Sequence, residues 1–414
     1  MQLNQDVRIN LDRFWSTIEA SALIGPGRPG GMSRLTLTDE DREMRSLFER
    51  WCTDAGLRIV IDEVGNMFAR REGSEPDLPP IFIGSHLDTQ INGGRFDGIA
   101  GVLAGLEIVR TLNDNGYETR RAIVIVNWTN EEGARFSPPM VASGCFAGKH
   151  QVSWVHDLIA DDGARFGDEL ERIGYRGEQR CPGTPPDAYY ELHIEQGPIL
   201  DAEHRQVGIV ISSYPSVGMR VKFSGETAHT GPTPMDLRKN ALIAGARWLT
   251  AVDEIGWDFS VGDGKATGAR LAAWPNKPGI LSDYAQAICD VRHPDPVTTR
   301  VMAEKMRRAV FECAAIAGCK ADIEDEWFWG GDIFDHDMID VLHTEAERMG
   351  FDWRDIQSQA GHDAYFLATV CPTAMIFAPC RDGITHNNLE SCEPEDFSAG
   401  INVLLHAAVA RADR

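Results

Sequence analysis

Residues 80–89 read Pro-Ile-Phe-Ile-Gly-Ser-His-Leu-Asp-Thr, and residues 122–133 read Ala-Ile-Val-Ile-Val-Asn-Trp-Thr-Asn-Glu-Glu-Gly. Each begins as a compact apolar run of buried-strand length and ends in side chains able to do chemistry. Between them, positions 98–112 carry small and apolar residues at helical spacing. Strand, helix, strand in this order implies an α/β domain with a mainly parallel sheet. Upstream, Thr38 followed by Asp39, Glu40 and Asp41 predicts a capped helix running through Trp51 and stopped at Gly56. Positions 57–61 and 66–70 read as short strands.

The rhythm changes in the middle of the chain. Positions 219–223 read as a strand, 235–255 as a helix, 269–273 and 285–291 as strands, 297–317 as a helix and 320–327 as a strand. That order is β-α-β-β-α-β, the ferredoxin-like arrangement, and forms a small domain of its own. Beyond it the α/β rhythm returns, with helices at 338–349, from Gly361 and from Pro394, and a strand at 373–377. The expected organisation is therefore one discontinuous α/β domain, 1–211 and 329–414, with an α+β domain inserted at 212–328.

Composition narrows the function classes. Of 414 residues, 43% are hydrophobic and 25% charged, which suits a globular chain with a sizeable core. Forty Lys and Arg against 63 Asp and Glu leave a net charge of −23. So acidic a surface repels phosphate backbones and anionic lipid, so neither nucleic acid nor a membrane is expected as a partner. No apolar stretch is long enough to span a bilayer and no secretory leader is visible. Nine cysteines without a Cys-x-x-Cys pair fit reduced thiols and a cytoplasmic location.

The chemistry-bearing residues fall mostly just past apolar strands, where α/β sheets place their sites. His86 and Asp88 are two apart at a strand end and can face one cleft. Asp97 lies between glycines in Gly93-Gly-Arg-Phe-Asp-Gly98 and reads either as a helix cap or as a held carboxylate. Glu131 and Glu132 are adjacent acids after a buried strand, costly without a cation nearby. His193 and Glu195 alternate in a third stretch, and His386 sits in a loop after the last strand. Together two His, one shared Asp, one Glu and a further His would satisfy two divalent ions.

In this ordered set the chain resembles the amidase and carbamoylase branch of the M20 peptidase-like hydrolases, which includes N-carbamoyl-L-amino acid hydrolases, β-ureidopropionases and allantoate amidohydrolases. The likeness rests on Gly84-Ser-His-Leu-Asp-Thr89, Gly94-Arg-Phe-Asp-Gly98, Thr129-Asn-Glu-Glu-Gly133, His193-Ile-Glu-Gln-Gly197, Ala228-His-Thr-Gly231, Gly361-His-Asp-Ala364 and Thr385-His-Asn387. It implies His86 and His193 as ligands of one metal, Glu132 and His386 as ligands of the other, and Asp97 as the bridge. It also implies Asp88 as the group orienting His86, and Glu131 as general base. Gln196, His229, Asn276, Arg292 and Gly361 are the implied substrate contacts, with Arg292 holding a carboxylate and His229 lent by the inserted domain of a homodimer partner. The metals implied are two divalent ions, zinc first, with manganese, cobalt or nickel as alternatives.

The expected reaction is hydrolysis of the ureido C–N bond of an N-carbamoyl-L-amino acid or N-carbamoyl-β-alanine to amino acid, carbon dioxide and ammonia. Allantoate hydrolysis, or aminoacylase or dipeptidase chemistry on the same scaffold, is the alternative. A binding protein that has lost catalysis is disfavoured because all five ligands and Glu131 are kept. The chain departs from the branch's pattern at Gln90-Ile-Asn92, at Trp274-Pro-Asn-Lys-Pro-Gly279 and at Gln359, all on the substrate side.

Overall fold

The structure, a computed structural model, describes residues 3–414. Its strands are β1 (Arg58–Ile61), β2 (Met67–Arg71), β3 (Ile81–His86), β4 (Ile123–Trp128), β5 (Ala188–Ile194), β6 (Val207–Ser224), β7 (Lys265–Trp274), β8 (Tyr284–Arg292), β9 (Lys320–Gly331), β10 (Trp353–Ser358) and β11 (Thr373–Ala378). Contacts divide the chain into two units, Met1–Ile211 with Ile333–Arg414, and Ser212–Asp332. The second closes past position 328 because β9 runs on to Gly331.

In the first unit the strand order is β1-β2-β4-β3-β5-β11-β6, with β10 also paired to β6. The sheet is mixed, which corrects the expectation of a mainly parallel one. The central pairs, β3 with β4, β3 with β5 and β5 with β11, are parallel. The pairs β1–β2, β2–β4 and β11–β6 are antiparallel. The short link 62–66 between β1 and β2 can only reverse the chain, whereas the helix Ile99–Asp114 between β3 and β4 is the long crossover that parallel pairing needs.

The central strands β3, β4 and β5 are buried at every position, as a sheet covered on both faces requires. Alternation along β5 identifies the two coverings. The Tyr190 hydroxyl donates to the carbonyl of Ala407, and Leu192 meets Gly400, both in the helix Pro394–Ala412. Glu191, one residue off, accepts from the backbone of Ala364 at the short helix Ala364–Leu367 on the opposite face. The helix expected from Gly361 is reduced to those four residues. Thr38 caps the helix Asp39–Asp54 as its position predicts, its hydroxyl accepting from the amide of Asp41; such a cap stabilises by about 0.5–2 kcal/mol.

In the second unit the order β9-β6-β8-β7 is antiparallel throughout. Alternate residues of β8 are buried, the pattern of a sheet with one face on a core. The helices Ala241–Phe259 and Pro296–Ile316 supply that core with Trp248, Val252, Met302 and Met306 against Phe223, Ala285 and Ala287. The Trp248 indole N–H donates to the carbonyl of Met306 at 3.0 Å, so the one polar atom of a fully buried ring is satisfied. Among the described residues no helix is long and apolar enough to cross a membrane, and all nine cysteines are free.

Candidate active site

His86 and His193 end the parallel neighbours β3 and β5. The register pairs Ile83 with Tyr190, and carrying it three residues further sets His86 beside His193; their ring centroids are 6.0 Å apart. Each ring is fixed from behind at Nδ1, His86 by the backbone carbonyl of Asp88 and His193 by that of Ile194, both at 2.9 Å. This leaves both Nε2 atoms for the cleft, the arrangement a metal-binding imidazole needs.

Asp97 comes to them from the turn before the helix Ile99–Asp114. Its carboxylate does not cap that helix, whose N-cap is Gly98. Instead Oδ1 lies 3.1 Å from His193 Nε2 and 4.0 Å from His86 Nε2, while Oδ2 lies 3.2 Å from His386 Nε2. Glu132 Oε2 is 3.3 Å from the same His386 nitrogen. Two ligand sets result, His86–Asp97–His193 and Asp97–Glu132–His386, each with ligand atoms within 4.8 Å of one another, and Asp97 belongs to both. Gly98 makes this close assembly possible: its φ is +67°, and a Cβ there would stand 2.1 Å from His86 Nε2.

Glu131 Oε2 is 3.4 Å from His86 Nε2. The backbone amides of Glu131 and Glu132 both point to the Asp88 carboxylate at 3.4 Å, and the Thr36 hydroxyl donates to it at 2.7 Å. Asp88 therefore reaches His86 chiefly through its backbone, since its carboxylate is 3.8 Å from Nδ1 and is used to hold the Glu131–Glu132 turn.

The electrostatics describe a site short of positive charge. Burial, then Asp363 and Glu132, push the Glu131 carboxyl well above the usual range. Burial and Asp97 raise Glu132 to about 8. Burial would raise Asp97 too, but hydrogen bonds from His193 and His386 hold it well below normal. Burial would lower His193, yet the bond to Asp97 lifts it to about 9, and the same balance lifts His386 to about 10. Among the described residues no Lys or Arg pairs with Asp97, Glu131 or Glu132; only histidines do. Buried carboxylates without a cation are costly, and the imidazole and carboxylate donors suit ions of the zinc type, so the residues fit the metals expected.

Gln196, at φ +59°, donates its amide to Asp97 Oδ2 at 2.9 Å, and its buried Oε1 has no hydrogen-bond partner. Gly361 is exposed beside Met140. Glu195 does not join the cluster; its carboxylate accepts the amides of Ile199 and Leu200 instead. His229, Asn276 and Arg292 belong to the second unit. His229 and Asn276 are exposed there. Arg292 forks onto Asp290 through Nε and Nη2, at 3.2 and 2.7 Å.

Four buried polar residues were given no role by the sequence. His362 packs edge-on against His193, with ring centroids 4.5 Å apart, and its Nε2 has no partner. Asp363 takes the Ser143 hydroxyl. Glu191, His193 and His362 form a further metal-capable set, but Glu191 is already satisfied by Ser85, Tyr189 and the amide of Ala364. Glu390 accepts from the amides of Phe96 and Asp97. Nothing in the sequence distinguishes Glu390 from Glu393 or Glu395 in the same acidic stretch.

A mixed α/β sheet whose parallel strand ends carry histidines into two ligand sets sharing one carboxylate defines a site of the metallohydrolase class. The chain belongs to peptidase family M20/M25/M40, whose profile matches residues 82–410. It is 42% identical over 406 residues to an N-carbamoyl-L-amino-acid amidohydrolase of Rhizobium meliloti, covering 98% of this chain and 97% of that one. A ureidoglycolate hydrolase of Oryza sativa subsp. japonica is 29% identical, over 96% of this chain and 84% of that one. The crystal structure of a hydantoinase/carbamoylase family amidase from Burkholderia vietnamiensis superposes with a TM-score of 0.95, at 42% identity and 100% coverage of both chains.

Proposed function

We propose that this chain hydrolyses the ureido C–N bond of an N-carbamoyl amino acid at the Asp97 centre, releasing the amino acid, carbon dioxide and ammonia. The observation that carries the reading is the Asp97 carboxylate, with one oxygen turned to His86 and His193 and the other to His386, beside Glu132. The names of the relatives support the substrate class. His86, Asp97 and His193, and Asp97, Glu132 and His386, would hold two divalent ions, which would supply Lewis-acid polarisation of the ureido carbonyl and activation of the attacking water. Glu131, buried and raised, takes the proton from that water and returns it to the leaving amine. Asp88 keeps the Glu131–Glu132 turn in place. The unpartnered Gln196 carbonyl oxygen is the acceptor for the ureido NH2. Carbamic acid, left after the amine departs, decomposes to carbon dioxide and ammonia.

Three further assignments belong to the same proposal. Arg292 holds the substrate carboxylate, its guanidinium plane set by Asp290. Asn276, Gly361 and His229 complete the substrate contacts, with His229 stabilising the oxyanion. The Ser212–Asp332 unit pairs with a second copy of the chain and lends it His229. The open edge of β7 and the exposed Trp257, Phe311 and Ile316 of that unit support the pairing. A cytoplasmic location goes with nine free cysteines.

The test is ammonia release from N-carbamoyl-L- and D-amino acids, N-carbamoyl-β-alanine, allantoate, ureidoglycolate and an N-carbamoyl amine without a carboxylate. The metal-stripped enzyme is reloaded with Zn2+, Mn2+, Co2+ or Ni2+ in parallel. Turnover of N-carbamoyl amino acids well above the carboxylate-free analogue is expected. Cleavage of an N-acetyl amino acid with no ammonia from any ureido compound would reassign the chain to aminoacylase chemistry.

A further inference from the structure

The five ligands come from unlike supports. His86 and His193 stand on the ends of buried strands, whereas Asp97 and His386 lie on turns about 290 residues apart in sequence, outside any strand. Packing of the sheet fixes the first two, so something else must hold the turns together. Glu390 lies between them. The residue is 3% exposed. Oε1 accepts the amides of Phe96 at 2.9 Å and Asp97 at 3.3 Å. Oε2 is 3.1 Å from the Thr385 hydroxyl, which is also 2.9 Å from Asp97 Oδ2. Thr385 is the residue before His386. Gly94 lies so close that a Cβ on it would stand 1.8 Å from the Glu390 carboxyl carbon, so the turn before Asp97 is shaped around this side chain.

We infer that Glu390 is a positioning residue: it ties the Asp97 turn to the His386 loop so that both reach the second metal together. The inference rests on the two-metal reading above. Its physical content is a pattern of hydrogen bonds rather than a charge. One oxygen must accept two amides while the other end of the group meets the Thr385 hydroxyl. Glutamine has the same length, keeps an acceptor for the two amides and offers an NH2 to Thr385 Oγ1. Aspartate is one methylene too short to meet both turns, and alanine meets neither. Partners that orient metal ligands typically contribute about 10–100-fold in metal affinity. Because His86 and His193 are held by the sheet, the loss should fall on the ion shared by Asp97, Glu132 and His386.

The experiment is Co2+ titration of the metal-stripped full chain by calorimetry and visible absorption, for wild type, Glu390→Ala, Glu390→Asp, Glu390→Gln and Thr385→Val. Amide hydrogen exchange at Phe96 and Asp97 is followed in the same metal-free proteins. The expected result is two ions in wild type and in Glu390→Gln. Glu390→Ala and Glu390→Asp should take one ion normally and the second at least tenfold more weakly. Thr385→Val should show a smaller loss of the same kind. Exchange at Phe96 and Asp97 should quicken at least tenfold in Glu390→Ala and Glu390→Asp and stay slow in Glu390→Gln. Normal binding of both ions with unchanged exchange in Glu390→Ala overturns the inference, and so does a Glu390→Gln as impaired as Glu390→Ala. Glu132→Gln is the control for the underlying reading. If it and wild type both take a single ion, the two-metal centre falls, and the exchange rates at Phe96 and Asp97 still decide for or against Glu390.

Discussion

Replacing Gly98 by alanine perturbs the site at one carbon atom. Two effects add there. The backbone at φ +67°, ψ −45° lies outside the regions an L side chain favours, and holding a residue with a Cβ in so sparsely populated a region costs about 1–3 kcal/mol. The added Cβ would also lie 2.1 Å from His86 Nε2, so the ring must retreat by more than about 1 Å to reach ordinary contact at about 3.5–4.0 Å. A displacement of about 1 Å in a catalytic group can cost about 100-fold in rate. Gly98→Ala is therefore expected to lower kcat/KM by about two orders of magnitude and to weaken the ion at His86 and His193. The control is Gly116→Ala, where φ is +56° and no atom lies within 4 Å of the added carbon; it should lose stability through the backbone alone and keep its activity. Ammonia release and Co2+ titration read the site, and urea denaturation reads the stability. Equal activity losses in the two variants, or a Gly98→Ala enzyme within about threefold of wild type, would refute the argument that His86 is held against Gly98.

Glu131→Gln should keep both metals and substrate binding while turnover falls by about 10²–10⁴-fold, the usual contribution of positioned proton transfer; full activity with normal metal content would take the base role from it. Asp97 lifts His193 to about 9 and His386 to about 10 against the opposing effect of burial. Histidines raised above their unfolded value of about 6.5 stabilise the metal-free fold below that pH, and the contribution disappears as pH rises through about 9 to 10. The Tm of metal-stripped protein should thus fall across that window. Metal binding displaces those protons, so the Tm gap between loaded and stripped protein should widen with pH; a gap that stays constant would remove both histidines from the ligand set. Mixing Glu131→Gln chains with His229→Ala chains should restore partial activity if His229 acts across a dimer, and verified subunit exchange with no recovery would reject that sharing.

Much of the site was legible in the sequence because its chemistry sits next to strong local signals. The apolar runs 81–83 and 122–126 mark strands whose ends carry His86 and the Glu131–Glu132 pair, and strand ends are where α/β sheets place reacting groups. The capped helix after Thr38 followed from a side chain three residues from its target amide. Local patterns of this kind depend on residues a few positions apart, so a single chain reveals them.

What only the tertiary structure decided depends on pairs far apart. The neighbours of β2 and β6 set the sheet as mixed, and no stretch of sequence states which strand lies beside which. Asp97 could be read as a cap or a ligand until the fold turned its carboxylate to three histidines. Asp88 was expected behind His86; its backbone carbonyl meets the ring there, while two backbone amides 43 and 44 residues later claim its carboxylate. Glu390 meets its partners across more than 290 residues. A carboxylate's sequence neighbours say that it is polar; its role is set by which donors the fold brings within about 3 Å, and that is a property of the packed chain alone.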